Sequence, residues 1–245
     1  MPQDIQQGCK AQNVRKENTL ADTTLKKQRE FYTIKENNTE EIIEKKSKFI
    51  ANLFYVETVK QAENLIKETK KKYHDARHNC IAYRIVENES IIEKSSDDGE
   101  PSGTAGRPML DVILGEDIYN VAVVVTRYFG GVLLGTGGLV RAYSKAVQEG
   151  FRESRIIEKK HGICLTVTTD YTGIGKIQYI AGERSLPILD SEYTDRVVLK
   201  LLVPVQEIGS VENAITEGTN GRAQLEQDGE CYYSVIDGEV QTFDH

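Results

Sequence analysis

The sequence predicts an α+β fold in two domains, and three features carry that prediction. An apolar run at residues 121–125 (VAVVV) leads through a glycine-rich turn into a helical pattern that ends near Phe151. The run is too short for a helix of its own and has the composition of a buried strand. The composition then turns polar across residues 155–162, which marks a domain boundary. Beyond it the pattern reads strand, helix, strand, strand, helix, strand, the βαββαβ order of a ferredoxin-like domain.

Taken in order, residues 1–28 are polar, with isolated Ile5, Val14, Leu20 and Leu25. They have too little apolar area to form a core and read as a disordered or loosely helical extension. The first domain spans residues 29–158. Phe31 and Ile34 belong to a strand, and residues 42–56 form a long, interrupted β pattern. Thr58 is placed to cap a helix carrying Val59, Ala62, Leu65 and Ile66 on one face, and Lys70, Lys71 and Lys72 close it at the negative end of its dipole. A strand follows at residues 80–85. In the segment DDGEPSGTAGRP, residues 97–108, Thr104 is expected to cap the next helix and Pro108 to sit in its first turn. After the strand at 121–125, Leu139, Tyr143, Ala146, Val147 and Phe151 recur at helical spacing. The second domain, residues 159–237, has strands at 163–169, 186–193 and 196–203, with 223–227 and 232–236 closing the sheet, and helices at 171–184 and 205–217. Residues 238–245 read as a loose tail.

The chain has 245 residues, enough for two medium domains that each bury a core. No apolar run approaches the roughly 18 residues of a membrane helix, and the N-terminal residues contain no apolar signal core. Cys9, Cys80, Cys164 and Cys231 are scattered and form no C-x-x-C pair, so a reducing, cytoplasmic setting without a metal framework is expected. Charge divides unevenly. Residues 1–160 hold 26 Lys and Arg against 24 Asp and Glu, net +2; residues 161–245 hold 5 against 14, net −9. The acidic second domain is repelled by bare nucleic acid and suits a protein partner, or a guard over the first domain.

Nine of the 20 glycines lie between Gly99 and Gly138, five of them (Gly130, Gly131, Gly135, Gly137 and Gly138) within nine residues. A glycine turn ahead of a helix N-terminus can present backbone N–H groups to an anion. The same glycines can equally serve a tight turn and a close helix–sheet contact. A P-loop is excluded because no Lys follows the last glycine, and the dinucleotide fingerprint fails at Val140. Arg141, Lys145, Gln148 and Arg152 form a basic face on the following helix, with Arg107 and Arg127 close to the two glycine loops. Asp97, Asp98 and Glu100 are candidate cleft acids for metal or acid–base chemistry, although carboxylates beside Gly and Pro are also ordinary turn formers. Ser102 does not sit in a nucleophile elbow, because position 100 is Glu. His74 and His78 are four apart, but the segment enters a strand, which breaks the one-face geometry a metal pair needs.

Two segments, DDGEPSGTAGRPML and VVTRYFGGVLLGTGGLVRAYSKA, strongly resemble the YigZ/IMPACT family, and HNCIAYRI (residues 78–85) is similar to the family's preceding strand. The resemblance covers roughly residues 31–236. It implies a first domain with the ribosomal-protein-type fold also used by GHMP kinases, and a ferredoxin-like second domain similar to the last domain of elongation factor G. The eukaryotic relative regulates translation by interfering with activation of a stress kinase, and no catalytic residues carry over. The GTGGL turn is similar to the GHMP-kinase phosphate loop but lacks its run of serines.

The resulting expectation is a non-enzymatic regulator of translation or stress response without a cofactor. It would bind RNA, the ribosome or a translation-related protein through Arg107, Arg127, Gly130, Gly131, Gly137, Gly138, Arg141 and Lys145. The competing expectation is an enzyme acting on a phosphorylated or nucleotide ligand, with the turn at 130–138 as phosphate cradle and Asp97 and Asp98 holding a metal. A third is a protein-interaction module in which the glycines are purely structural. The sequence does not fix the oligomeric state.

Overall fold

A computed structural model describes residues 30–88 and 90–243 of the chain. The expected extension at residues 1–28 lies outside the described residues. Two antiparallel sheets organise the rest. The first contains β2 (Asn38–Glu44), β3 (Ser47–Tyr55), β4 (His78–Glu87), β5 (Ser90–Ser96) and β6 (Val121–Tyr128), in the order β2-β3-β6-β4-β5. Helix α1 (Val59–Lys72) covers one face, while α2 (Gly106–Gly115) and α3 (Thr136–Arg152) cover the other.

That layering explains the VAVVV run. β6 is the central strand and is buried on both sides: Ala122 and Val124 pack beneath α1, and Val121, Val123 and Val125 join the core under α2 and α3. A strand covered on both faces loses the polar alternation of a half-exposed one. Thr58 caps α1 as its position predicts, its Oγ1 accepting from the Gln61 N–H at 3.1 Å. The interrupted pattern at 42–56 is a hairpin that turns at Lys45 and Lys46, both with positive φ.

The second sheet has the order β11 (Glu239–Phe243), β10 (Gln224–Ile236), β7 (Ile156–Thr169), β9 (Val197–Pro204), β8 (Ile188–Tyr193), with β1 (Glu30–Ile34) also on β7. Its strands β7, β8, β9 and β10, with α4 (Ile174–Glu183) and α5 (Ile208–Gly218), follow the βαββαβ order. Leu165, Val167, Ile177, Leu199, Leu201, Val211 and Ile215 form a separate core beneath α4 and α5.

Two readings need correction. Residues read as a loose tail supply β11 (Glu239–Phe243), which pairs with β10. Strand β1 (Glu30–Ile34), assigned to the first domain, pairs with residues 156–160 of β7 in the second sheet. The polar stretch at residues 155–162 lies largely within one continuous strand, β7, in which Lys159 is itself buried.

Candidate functional site

The two glycine-rich segments converge at the end of the first sheet, over a buried ionic cluster. Register places Arg127 of β6 opposite Phe49 of β3 on one side and His78 of β4 on the other. Its guanidinium donates to Glu100 Oε1 at 2.6 Å, with the two side chains only 8% and 3% exposed. The Tyr143 hydroxyl, reaching in from α3, donates to the same oxygen at 2.9 Å. The Cys80 thiol lies 3.3 Å from that hydroxyl and donates to the Asp97 carbonyl at 3.0 Å. Burial pushes the thiol up to about 12, so Cys80 stays protonated and is a poor nucleophile at neutral pH. Burial likewise holds the Tyr143 hydroxyl far above its ordinary range.

The acids of the first glycine loop are occupied internally. Asp97 Oδ1 accepts from the N–H groups of Ala105 and Gly106 at 3.0 and 2.8 Å, and its Oδ2 from Gly103 at 2.8 Å. Burial raises the Asp97 carboxyl, but those three backbone donors outweigh it and hold the group below its ordinary range. Asp97 thereby does the work expected of Thr104. The Thr104 hydroxyl instead donates to the Pro101 carbonyl at 2.6 Å, and no side chain at the N-cap position serves α2. Pro108 does lie in the first turn of that helix. Asp98 accepts from Lys70 Nζ at 2.6 Å and from the Asn79 N–H at 2.7 Å. Lys70 therefore has a structural partner as well as a helix end.

The second glycine loop, residues 129–135, stands out from the surface. Leu133 is 83% exposed, with Phe129 at 53% and Val132 at 39%. Gly130 is the tightest point, because a Cβ there would overlap the backbone of Lys46, and its N–H donates to Ser47 Oγ at 3.2 Å. The loop is thus held against the Lys45–Lys46 hairpin. Gly131 and Gly135 have φ of 83° and 71°, in the region that favours glycine. Gly137 needs neither positive φ nor a close approach, and Gly138 packs on Leu134. The conformational demand therefore falls on Gly130, Gly131 and Gly135 rather than on Gly137.

Basic groups flank this loop. On one side a cavity of about 210 Å³ is lined by Glu44, Lys45, Leu134, Gly138, Arg141 and Lys145. Lys145 pairs with Glu44 at 2.7 Å, whereas Arg141 is exposed with no carboxylate at ion-pair distance among the described residues. On the other side a cavity of about 290 Å³ is lined by residues that include Arg77, His78, Arg127 and Phe129. Arg107 is exposed and pairs with Asp111 at 2.8 Å. Arg127, expected on the surface, is buried and neutralised by Glu100. The structure also gathers Lys45, Lys46, Arg77 and Phe129, which the sequence reading missed. Lys45 and Lys46 carry a signal in retrospect, as a charged pair interrupting an apolar β pattern.

The comparisons match this layout. A family model described as the Impact N-terminal domain matches residues 45–151, which contain both glycine-rich segments, and a domain of unknown function (DUF1949) matches residues 167–222. IMPACT family member YvyE of Bacillus subtilis is 40% identical over 203 residues, covering 83% of this chain and 93% of that protein. This chain belongs to the IMPACT family. IMPACT family member YigZ of Escherichia coli is 34% identical over 182 residues, 74% of this chain and 89% of the relative. A solved structure described only as that of an hypothetical protein is 31% identical with a TM-score of 0.53, covering 80% of this chain and 96% of the other. Within this IMPACT-family chain, none of the described helices is long and apolar enough to cross a membrane.

Proposed function

We propose that this IMPACT-family protein is a non-enzymatic regulator of translation or stress response in the cytoplasm. It docks on RNA of the translation machinery, the ribosome included, through the protruding loop at 129–135 and the basic residues beside it. The observation that carries this reading is the juxtaposition of an exposed apolar tip, Phe129, Val132 and Leu133, with Lys45, Lys46, Arg77 and Arg141. Aromatic and apolar groups within a basic rim suit unpaired bases and phosphates. The translational role rests on family resemblance. Asp97, Asp98 and Glu100 are engaged inside the protein, which supports a binding role over metal-assisted turnover. The acidic second sheet disfavours contact with nucleic acid on its side of the molecule.

The reading is tested by co-sedimentation with ribosomes across a salt series, comparing wild type with Lys45→Gln and Arg141→Gln. Each substitution is expected to weaken binding and to flatten the log–log salt slope by about 1. Wild-type affinity and slope in both variants would contradict it. A loss confined to Leu133→Asp would point instead to a protein partner.

A further inference from the structure

Arg127 has a donor that the protein leaves unused. Its Nη1 is committed to Glu100, and its guanidinium carbon lies 5.5 Å from the Phe49 ring centre and 5.7 Å from that of Phe129. Its Nε is buried and has no acceptor among the described residues, although the side chain is more than nine-tenths buried. A buried N–H without a partner is unfavourable, and a bound oxygen acceptor would relieve that.

Arg127 lines the 290 Å³ cavity with Asp75, Arg77, His78, Tyr128, Phe129 and Leu133. His78 Nδ1 lies 2.9 Å from the Asp98 carbonyl oxygen, to which it must donate, so the ring is oriented and its Nε2 remains for a ligand. Arg77 is exposed with no carboxylate at ion-pair distance among the described residues. The one acid in the lining, Asp75, accepts from the Tyr128 hydroxyl at 2.7 Å, and that hydroxyl is pushed up to about 12, mainly by this bond, so it remains neutral. With the charge of Arg127 balanced by Glu100, Arg77 and the His78 imidazole face the single carboxylate of the lining, Asp75. Beside them, Phe129 offers an aromatic ring that is about half exposed. The volume falls just below the roughly 300–1,000 Å³ typical of small-molecule pockets, room for a small ligand.

We propose that this cavity holds one phosphorylated nucleotide, with its phosphate between Arg77, His78 and the unused Nε of Arg127 and its base against Phe129. An oxyanion satisfies the orphaned donor, and base–aromatic stacking fills the apolar side. A free nucleoside monophosphate and the phosphorylated end of an RNA strand present the same group. The proposal deepens the docking reading above and rests on it.

The test is calorimetric titration of the full chain with adenosine 5′-monophosphate, adenosine, inorganic phosphate, and one short oligoribonucleotide with and without a 5′-phosphate. The monophosphate is expected to bind at least about tenfold tighter than adenosine or phosphate alone. Phe129→Ala and Arg77→Gln, both at exposed positions, should each weaken it by about tenfold without changing the melting temperature. Arg127→Lys retains a cation for Glu100 but lacks the Nε, so it should lose affinity while remaining folded. Tighter binding of the 5′-phosphorylated oligonucleotide than of the monophosphate assigns the site to RNA ends; equal or weaker binding assigns it to free nucleotides. Equal binding of phosphate and monophosphate, or unchanged affinity in all three variants, would overturn the proposal. So would a failure to bind any phosphorylated ligand. If ribosome co-sedimentation persists in that last case, only the nucleotide site falls, whereas loss of both removes the docking reading as well.

Discussion

Glu100 and Arg127 form an ion pair whose charges are almost wholly withdrawn from water. Removing one member leaves the other buried and uncompensated, an effect of about 3–5 kcal/mol. Glu100→Ala is therefore expected to lower unfolding free energy by about that amount, measured by chemical denaturation; a change within about 0.5 kcal/mol would show that the pair is not buried in solution. Asp97 gives a pH-dependent counterpart. Its folded-state carboxyl lies below its ordinary value of 3.8, so its contribution is present above that pH and is lost as pH falls through the folded value. Asp97→Ala should cost about 1–2 kcal/mol at neutral pH, and the gap to wild type should narrow below about pH 4. A gap that stays constant down to pH 2 would contradict that account. The sequence made Asp97 visible as a turn carboxylate, but not as the helix cap. Its capped groups are eight and nine residues away, beyond the local spacing that identifies a cap.

At the scale of elements, the glycine loop separates into parts with different demands. Gly130→Ala would drive a methyl group into the Lys46 backbone, which cannot move without opening the β2–β3 hairpin. Its melting temperature should fall clearly, with a cost of at least about 1–3 kcal/mol. Gly137→Ala lies in the first turn of α3 with no close contact, so it should be neutral or stabilising by up to about 1 kcal/mol. Equal destabilisation of the two variants would refute this division. Helices α1 and α3 were legible because their apolar faces repeat at the helical period, and β6 because a doubly covered strand is uniformly apolar. The Lys45–Lys46 turn was not, since neither residue is a usual choice for positive φ and a charged pair interrupting an apolar pattern does not by itself specify a reversal. Strand β10 was read as two pieces because the register shift between Gln227 and Gly229 interrupts its pattern.

The whole molecule joins a nearly neutral first part, residues 30–160 with 20 Lys and Arg against 21 Asp and Glu, to an acidic second one. The order of the second sheet was readable from its alternating pattern. The placement of β1 was not, because its partner strand lies far along the chain, with Ile34 opposite Ile156; β11 forms a hairpin with β10 through Asp237 and Gly238, an Asp-Gly turn signal that the reading of a loose tail passed over. Lys159 ties the two parts together: only 3% of its side chain is exposed, and it lies over the rings of Tyr55 and Phe243 while hydrogen-bonding the Tyr55 hydroxyl. This joint orients the acidic second sheet relative to the basic loop face, so docking should engage one side of the chain.

Hydrogen exchange of the full chain, with and without ribosomes, tests that claim most directly. The account predicts new protection at residues 44–47 and 128–141, with the exchange of β8 and β9 unchanged. Protection confined to β8 and β9, with the glycine loop unaffected, would contradict it.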